Sequence, residues 1–147
     1  MKTLIVVLII ASFLQSTILP LDLVLIIIIC RSYLTESRAN LFLAFGFGLL
    51  SDHLNLNLLG LSSCLYLILI QATASLSKSR LSGNPLLIVP LTLFLLALYQ
   101  IAISNFTHQG AQFPKIFLES LLSLPIFYLL RLWEERFTVR KEIKLKV

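Results

Sequence analysis

The chain has 147 residues, 58% of them hydrophobic and only 13% charged, with a net charge of +5. That charged share is about half the norm for a soluble domain, so the composition excludes a water-soluble fold and points to one integral membrane domain. The positive balance does not indicate nucleic acid, because the cations lie between and after the apolar runs, where they orient a chain in a bilayer.

The opening MKTLIVVLIIASFLQS has a lysine, an apolar run and small residues, as a secretory signal does. It lacks an A-x-A-like cleavage site and more apolar runs follow, so it reads as an uncleaved first helix. In chain order the apolar segments are 3–19, 21–34, 40–51, 58–76, 86–104 and 114–133. The breaks between them contain Pro20 and Asp22, then RSYLTESRAN, then HLNLNLL, then SLSKSRLSGNP, then NFTHQGAQFPK. The second and third segments, at 1.5 Å per residue, cover roughly 21 and 18 Å, short of the roughly 30 Å of a hydrocarbon core. They must tilt into protein, thin the bilayer, or continue into their polar flanks.

Six crossings with a cytoplasmic N-terminus put Lys2, Arg31, Arg38, Lys78, Arg80, Arg131, Arg136, Arg140, Lys141, Lys144 and Lys146 inside, eleven of the twelve cations, and Lys115 outside. A five-crossing model moves part of this set to the wrong side. The expected topology therefore has both termini, and positions 36, 79 and 140, in the cytoplasm, with position 108 outside. Residues 1–133 form the helical membrane domain and 134–147 a basic cytoplasmic tail, able to touch anionic lipid or serve as an orientation signal. Asp22, Asp52 and Glu119 fall toward the outer side, beside one lysine.

Residues 44–63 hold the least ordinary pattern. Gly48 and Asp52 are one turn apart on a helix face, Gly46 lies nearby, and small residues admit a close neighbour. From 53 to 58 polar and apolar residues alternate, which suits an extended or interfacial segment. Two readings are open: a broken, polar-tipped hairpin that holds a partner or ligand, and a plain hydrated loop. An acid at a helix C-terminus opposes the dipole, so a structural role for Asp52 would need a specific hydrogen-bonded partner. Its replacement is accordingly expected to harm function more than stability.

Glu119, inside the last segment, must face protein or a polar crevice. It pairs with Lys115 at i−4, binds a partner, or snorkels to the interface. Pro125 is expected to kink that helix. Cys30 and Cys64 read as packing residues. His53 and His108 have no second ligand near them in sequence, and no metal site is expected. NFT at 105–107 matches a glycosylation sequon. No hydrolase elbow, P-loop or paired-carboxylate motif is present, so neither an enzyme nor a cofactor is expected.

The spacing G-x3-D-x7-G, ending in Leu59–Gly60 before an apolar helix, resembles the signature of the rod-shape-determining protein MreD family. FLQSTILP near the first helix end and a last helix running into RLWEERF resemble it too. Between Asp52 and Gly60 the family often has a glycine- or serine-rich centre, where this chain has HLNLNLL. The resemblance implies an all-α polytopic fold of about six helices, similar to the substrate-binding membrane subunits of vitamin transporters. It implies a non-enzymatic scaffold of bacterial cell elongation in the inner membrane. The partner would be a single-span MreC-like protein, with MreB, RodA and a class B penicillin-binding protein reached indirectly. Gly48, Asp52, Gly60 and Glu119 are the candidate partner-binding residues. The alternative is a vitamin-transporter binding subunit, which would gather aromatic and polar residues in an outer pocket.

Overall fold

The computed structural model describes residues 2–18, 21–35, 37–78, 85–107, 110 and 112–143. Glu36, position 79, Arg80, His108 and the tail from Lys144, all used in the expected topology, lie outside the described residues, as does the side chain of Arg140. Among the described residues the chain is all-helical: α1 (Lys2–Thr17), α2 (Leu23–Leu34), α3 (Arg38–Leu54), α4 (Leu61–Lys78), α5 (Ile88–Thr107) after a 3-10 turn at Pro85–Leu87, and α6 (Phe113–Ile143). Two of them, over Ile88–Phe106 and Phe113–Arg136, are long and apolar enough to cross a membrane by length and composition.

Helix α2 is the centre. Its sequence LVLIIIIC has no polar stripe, and a helix apolar all round buries itself all round. Val24 through Cys30 are buried without interruption. The helix packs against α1, α3, α4, α5 and α6. This accounts for its twelve residues: enclosed by longer helices, it has no need of a full span. The third segment resolves differently, since α3 extends into the polar flanks on both sides to reach 17 residues. Ser37 caps its start, its hydroxyl oxygen accepting from Ala39 N at 3.3 Å. Helix α6 runs unbroken through Pro125 and past position 134 to Ile143, so no break in secondary structure separates the tail from the last apolar segment.

The exterior of the bundle is apolar, while its mainly apolar interior also holds polar groups. Phe42 is 79% exposed and Phe117 66%, and Val6, Ile10, Phe13, Phe94, Ile101, Leu121 and Leu129 also face outward. Inside lie Ser12, Gln15, Ser51, Asp52, Ser62, Thr73, Thr92, Glu119, Ser120 and Ser123. Several buried hydroxyls are satisfied by a carbonyl one turn back: Ser12 donates to Leu8 O (2.9 Å), Thr73 to Leu69 O (2.8 Å), Thr92 to Val89 O (2.9 Å) and Ser120 to Phe117 O (2.8 Å). Small hydroxyl residues can thus sit between helices with their polar atoms turned back onto their own backbone.

The helices alternate in direction. One end of the bundle gathers the end of α1, the start of α2, the α3–α4 turn, the end of α5 and the start of α6 around a cavity. Lys115 is at this end. Arg31, Arg38, Lys78 and Arg131 belong to the opposite one, where Ser77 donates to Tyr33 O and Thr35 to Glu134.

Helices α3 and α4 make the most extensive pair, and Gly48 sets their separation. A Cβ on Gly48 would lie 2.5 Å from Ser63 Cα and 2.8 Å from Ser63 N, backbone that cannot give way, whereas one on Gly46 would meet nothing within 4 Å. The close neighbour of Gly48 is therefore α4 of the same chain, not a partner, and Gly46 has no part in the contact. Gly48→Ala is expected to destabilise the protein by about 1–3 kcal/mol through overpacking. Gly46→Ala should be neutral or stabilising by up to about 1 kcal/mol. Thermal unfolding of the two variants in detergent micelles checks this; equal melting temperatures would contradict the α3–α4 contact.

Candidate functional site

Asp52 has no exposed surface and performs two tasks with different atoms. Its carbonyl ends α3. Asn55 N donates to Ser51 O at 3.0 Å and Asn57 N reaches back to Asp52 O at 3.0 Å, with Leu56 between them at φ 53°. This is the six-residue closure of a Schellman turn, with leucine where glycine is usual. The alternation at 53–58, which suggests an extended segment, is thus overridden: His53 and Leu54 complete α3 and the chain then turns. The carboxylate of Asp52 begins α4. Its Oδ2 accepts from Gly60 N at 2.9 Å and from Ser62 N at 3.1 Å. The first amides of a helix have no partner within it, and here an aspartate from the preceding helix supplies one. Gly60, at φ +95°, takes a backbone conformation that side-chain-bearing residues rarely adopt.

The three members of the Gly48–Asp52–Gly60 frame therefore build one tight helical hairpin. The specific hydrogen-bonded partners that a structural role for Asp52 demands are present, so the geometry gives it a part in stability. Gly48 and Asp52 are both buried inside the chain, so a partner meets neither directly.

Glu119 belongs to a second cluster. It is 2% exposed, and its Oε1 accepts from Asp22 N at 2.7 Å. Asp22 precedes α2 without capping it by side chain, so the amides at the start of that buried helix turn elsewhere. Asp22 N uses Glu119, and Val24 N uses Gln15 Oε1 at 3.2 Å. Lys115 Nζ is 3.2 Å from Asp22 Oδ2 and 3.7 Å from Glu119 Oε1, so one lysine serves two carboxylates. Gln15 passes the network on: its Nε2 donates to Ser51 Oγ at 3.2 Å, which also accepts from Asn55 Nδ2 at 3.3 Å. Glutamine inside the apolar run of α1 is the signal for this role, and Gln15 was not among the residues that the motif singled out.

Around this network opens a cavity of about 470 Å³, lined among others by Asp22, Asn55, Asn57, Tyr99, Gln100 and Lys115. Tyr99 is almost fully buried, with its hydroxyl 3.4 Å from Ser62 Oγ and its ring 5.6 Å from that of Tyr66. The structure thus joins Asp52 and Gly60 in the hairpin and Glu119 in the adjoining network, with Gly48 set deeper between α3 and α4. Among the described residues no three His, Cys, Asp or Glu side chains gather as a metal site would require. The charged groups engage one another, and the hydroxyls of Ser51 and Ser62 face amides and a tyrosine.

Compared with known proteins, the chain matches no family model, no curated protein and no solved structure.

Asp52→Ala leaves the Gly60 and Ser62 amides unmet and is expected to cost about 1–3 kcal/mol. Asp52→Asn, which keeps an acceptor oxygen, should fall between it and the wild type. Melting temperatures of the two variants give the comparison. An Asp52→Ala protein as stable as wild type but inactive would restore the purely functional reading.

Proposed function

We propose that the chain is a multi-pass membrane protein, a non-enzymatic scaffold of the bacterial cell-elongation machinery that works with a single-span MreC-like partner in the inner membrane. The observation that carries the membrane part is the apolar exterior of the bundle, with phenylalanines, isoleucines and leucines facing outward. Apolar exterior on this scale marks a surface covered by lipid or protein. The separation of Lys115 from Arg31, Arg38, Lys78 and Arg131 at opposite ends of the bundle supports both termini on the cytoplasmic side.

The scaffold part rests on the resemblance to the MreD family and on how its residues are used. The G-x3-D-x7-G spacing corresponds to one physical device, a close helix pair whose second member is capped by the first. A protein that presents helix surfaces to a partner needs such rigid pairs. With Gly48 and Asp52 buried in the hairpin, the surface left for a partner helix is the exterior. An apolar groove of about 280 Å³ between α1 and α6, with Ile27 of α2 at its floor and Val7 and Leu129 on its walls, is a concave part of it.

A second reading is favoured by one observation. The 470 Å³ cavity offers polar side chains from several elements, with Tyr99 among them, as a substrate-binding membrane subunit of a small-molecule transporter would. The two readings differ in what stays bound. With a photo-crosslinking residue in place of Val7 or Leu129, the scaffold reading expects covalent capture of the MreC-like protein in intact membranes. No capture from either position, together with a stoichiometric metabolite in the purified protein by mass spectrometry, would overturn it in favour of the transporter subunit.

A further inference from the structure

We propose that a second cavity, between the end of α2, the start of α3 and the second half of α4, binds a phosphate group carried by a lipid or by a small soluble molecule. It lies at the end of the bundle opposite to the cavity around Asn57 and Lys115. It encloses about 340 Å³, within the range of about 300–1,000 Å³ for small-molecule sites. Ser32, Ser37, Arg38 and Gln71 bring polar groups to it, and Leu41 and Ile70 supply apolar wall.

The charge in these walls is positive. Among the described residues Arg38 is the one charged group that lines the cavity, and it is exposed. The start of α3 forms part of the same wall, with the unpaired amides and the positive dipole end of a helix N-terminus. Arg31 and Lys78 close the same end of the bundle. The described acids there are engaged: Glu134 accepts from Thr35 at 2.6 Å and Glu135 from Arg131 at 3.0 Å. Glu36, beside Ser37 in sequence, lies outside the described residues. A cationic ligand would meet the Arg38 guanidinium, and a neutral one would leave its charge unused. A phosphate gains both the charge and the planar fork of donors that a guanidinium offers.

Ser32 points to a ligand independently. It is 1% exposed and lines the cavity, and its hydroxyl makes no hydrogen bond among the described residues. Ser12, Thr73, Thr92 and Ser120 are buried too, and each turns its hydroxyl back onto its own helix. Buried polar groups in native proteins are rarely left unmet, so the Ser32 donor calls for an acceptor that enters the cavity. Ser37 Oγ accepts from Ala39 N, which leaves its O–H to donate. The exposed amide of Gln71 adds N–H donors. Guanidinium, hydroxyls, amide and helix start all donate, which suits a group made of acceptor oxygens.

The test uses the purified full chain in maltoside micelles and follows its melting temperature, because a ligand that binds only the folded state raises it. Glycerol phosphate is the soluble probe, and phosphatidic acid mixed into the micelles is the lipid probe. Diacylglycerol and choline, at matched ionic strength, are the controls without phosphate. The expected result is a saturable rise with a phosphate probe and none with either control. A rise with both probes shows that the phosphate alone suffices, and a rise with one alone assigns the source. Arg38→Gln should abolish the rise. Ser32→Ala should weaken binding about tenfold or more, the usual worth of a hydrogen bond to a charged group. Lys2→Gln removes a cation that does not line the cavity and should change nothing. No rise with either phosphate probe, or an equal rise with choline or diacylglycerol, would overturn the proposal. So would a rise unchanged in Arg38→Gln or Ser32→Ala, or one lost equally in Lys2→Gln.

Discussion

The first amides of a helix have no hydrogen-bond partner within it, and a helix that starts inside protein has no water to supply one. Among the described residues, α2 and α4 have first amides met by side chains of other helices. For α2 the partners are Glu119, from α6, and Gln15, from α1. For α4 the partner is the carboxylate of Asp52, from α3. Gln15, Asp52 and Glu119, each inside a helix, are thereby explained by a helix start elsewhere in the chain. The bundle is fastened at one end by these contacts, with helix-to-helix packing completing the rest.

The same constraint generates the cavity. Lys115 follows the two acids to this end because an unpaired buried carboxylate costs several kcal/mol. Beside Asp22 and Lys115, the other polar groups of the wall are amides and hydroxyls. The first duty of this network is structural. That duty also explains why the motif is rigid: Gly48 lets α3 and α4 touch, Asp52 closes one and opens the other, and Gly60 turns the chain between them.

Much of this was legible in the sequence. LVLIIIIC announces a helix buried on all sides, and the apolar runs locate the six helices to within a few residues, though α3 and α6 extend further into polar flanks than the runs suggest. The G-x3-D spacing correctly indicates a close helical neighbour. Its identity was not legible, because spacing on one helix face says nothing of which helix lies opposite. The capping of α4 by Asp52 was hidden for a related reason: the acid and the amides it serves are eight and ten residues apart, joined only once Leu56 turns at positive φ. Gln15 carried a signal, a glutamine in an apolar run, but its two partners come from α2 and α3.

The claim that buried helix starts are satisfied by side chains of other helices is open to direct measurement. Backbone amide hydrogen exchange, read residue by residue by NMR in micelles, reports each donor. The amides of Asp22, Val24, Gly60 and Ser62 should be protected to the same degree as those in the middle of α2. In Glu119→Gln the Asp22 amide should remain protected, since an acceptor oxygen is kept, and in Glu119→Ala it should exchange freely while Gly60 and Ser62 are unchanged. Rapid exchange of all four amides in the wild-type protein, with mid-helix amides protected, would contradict the account.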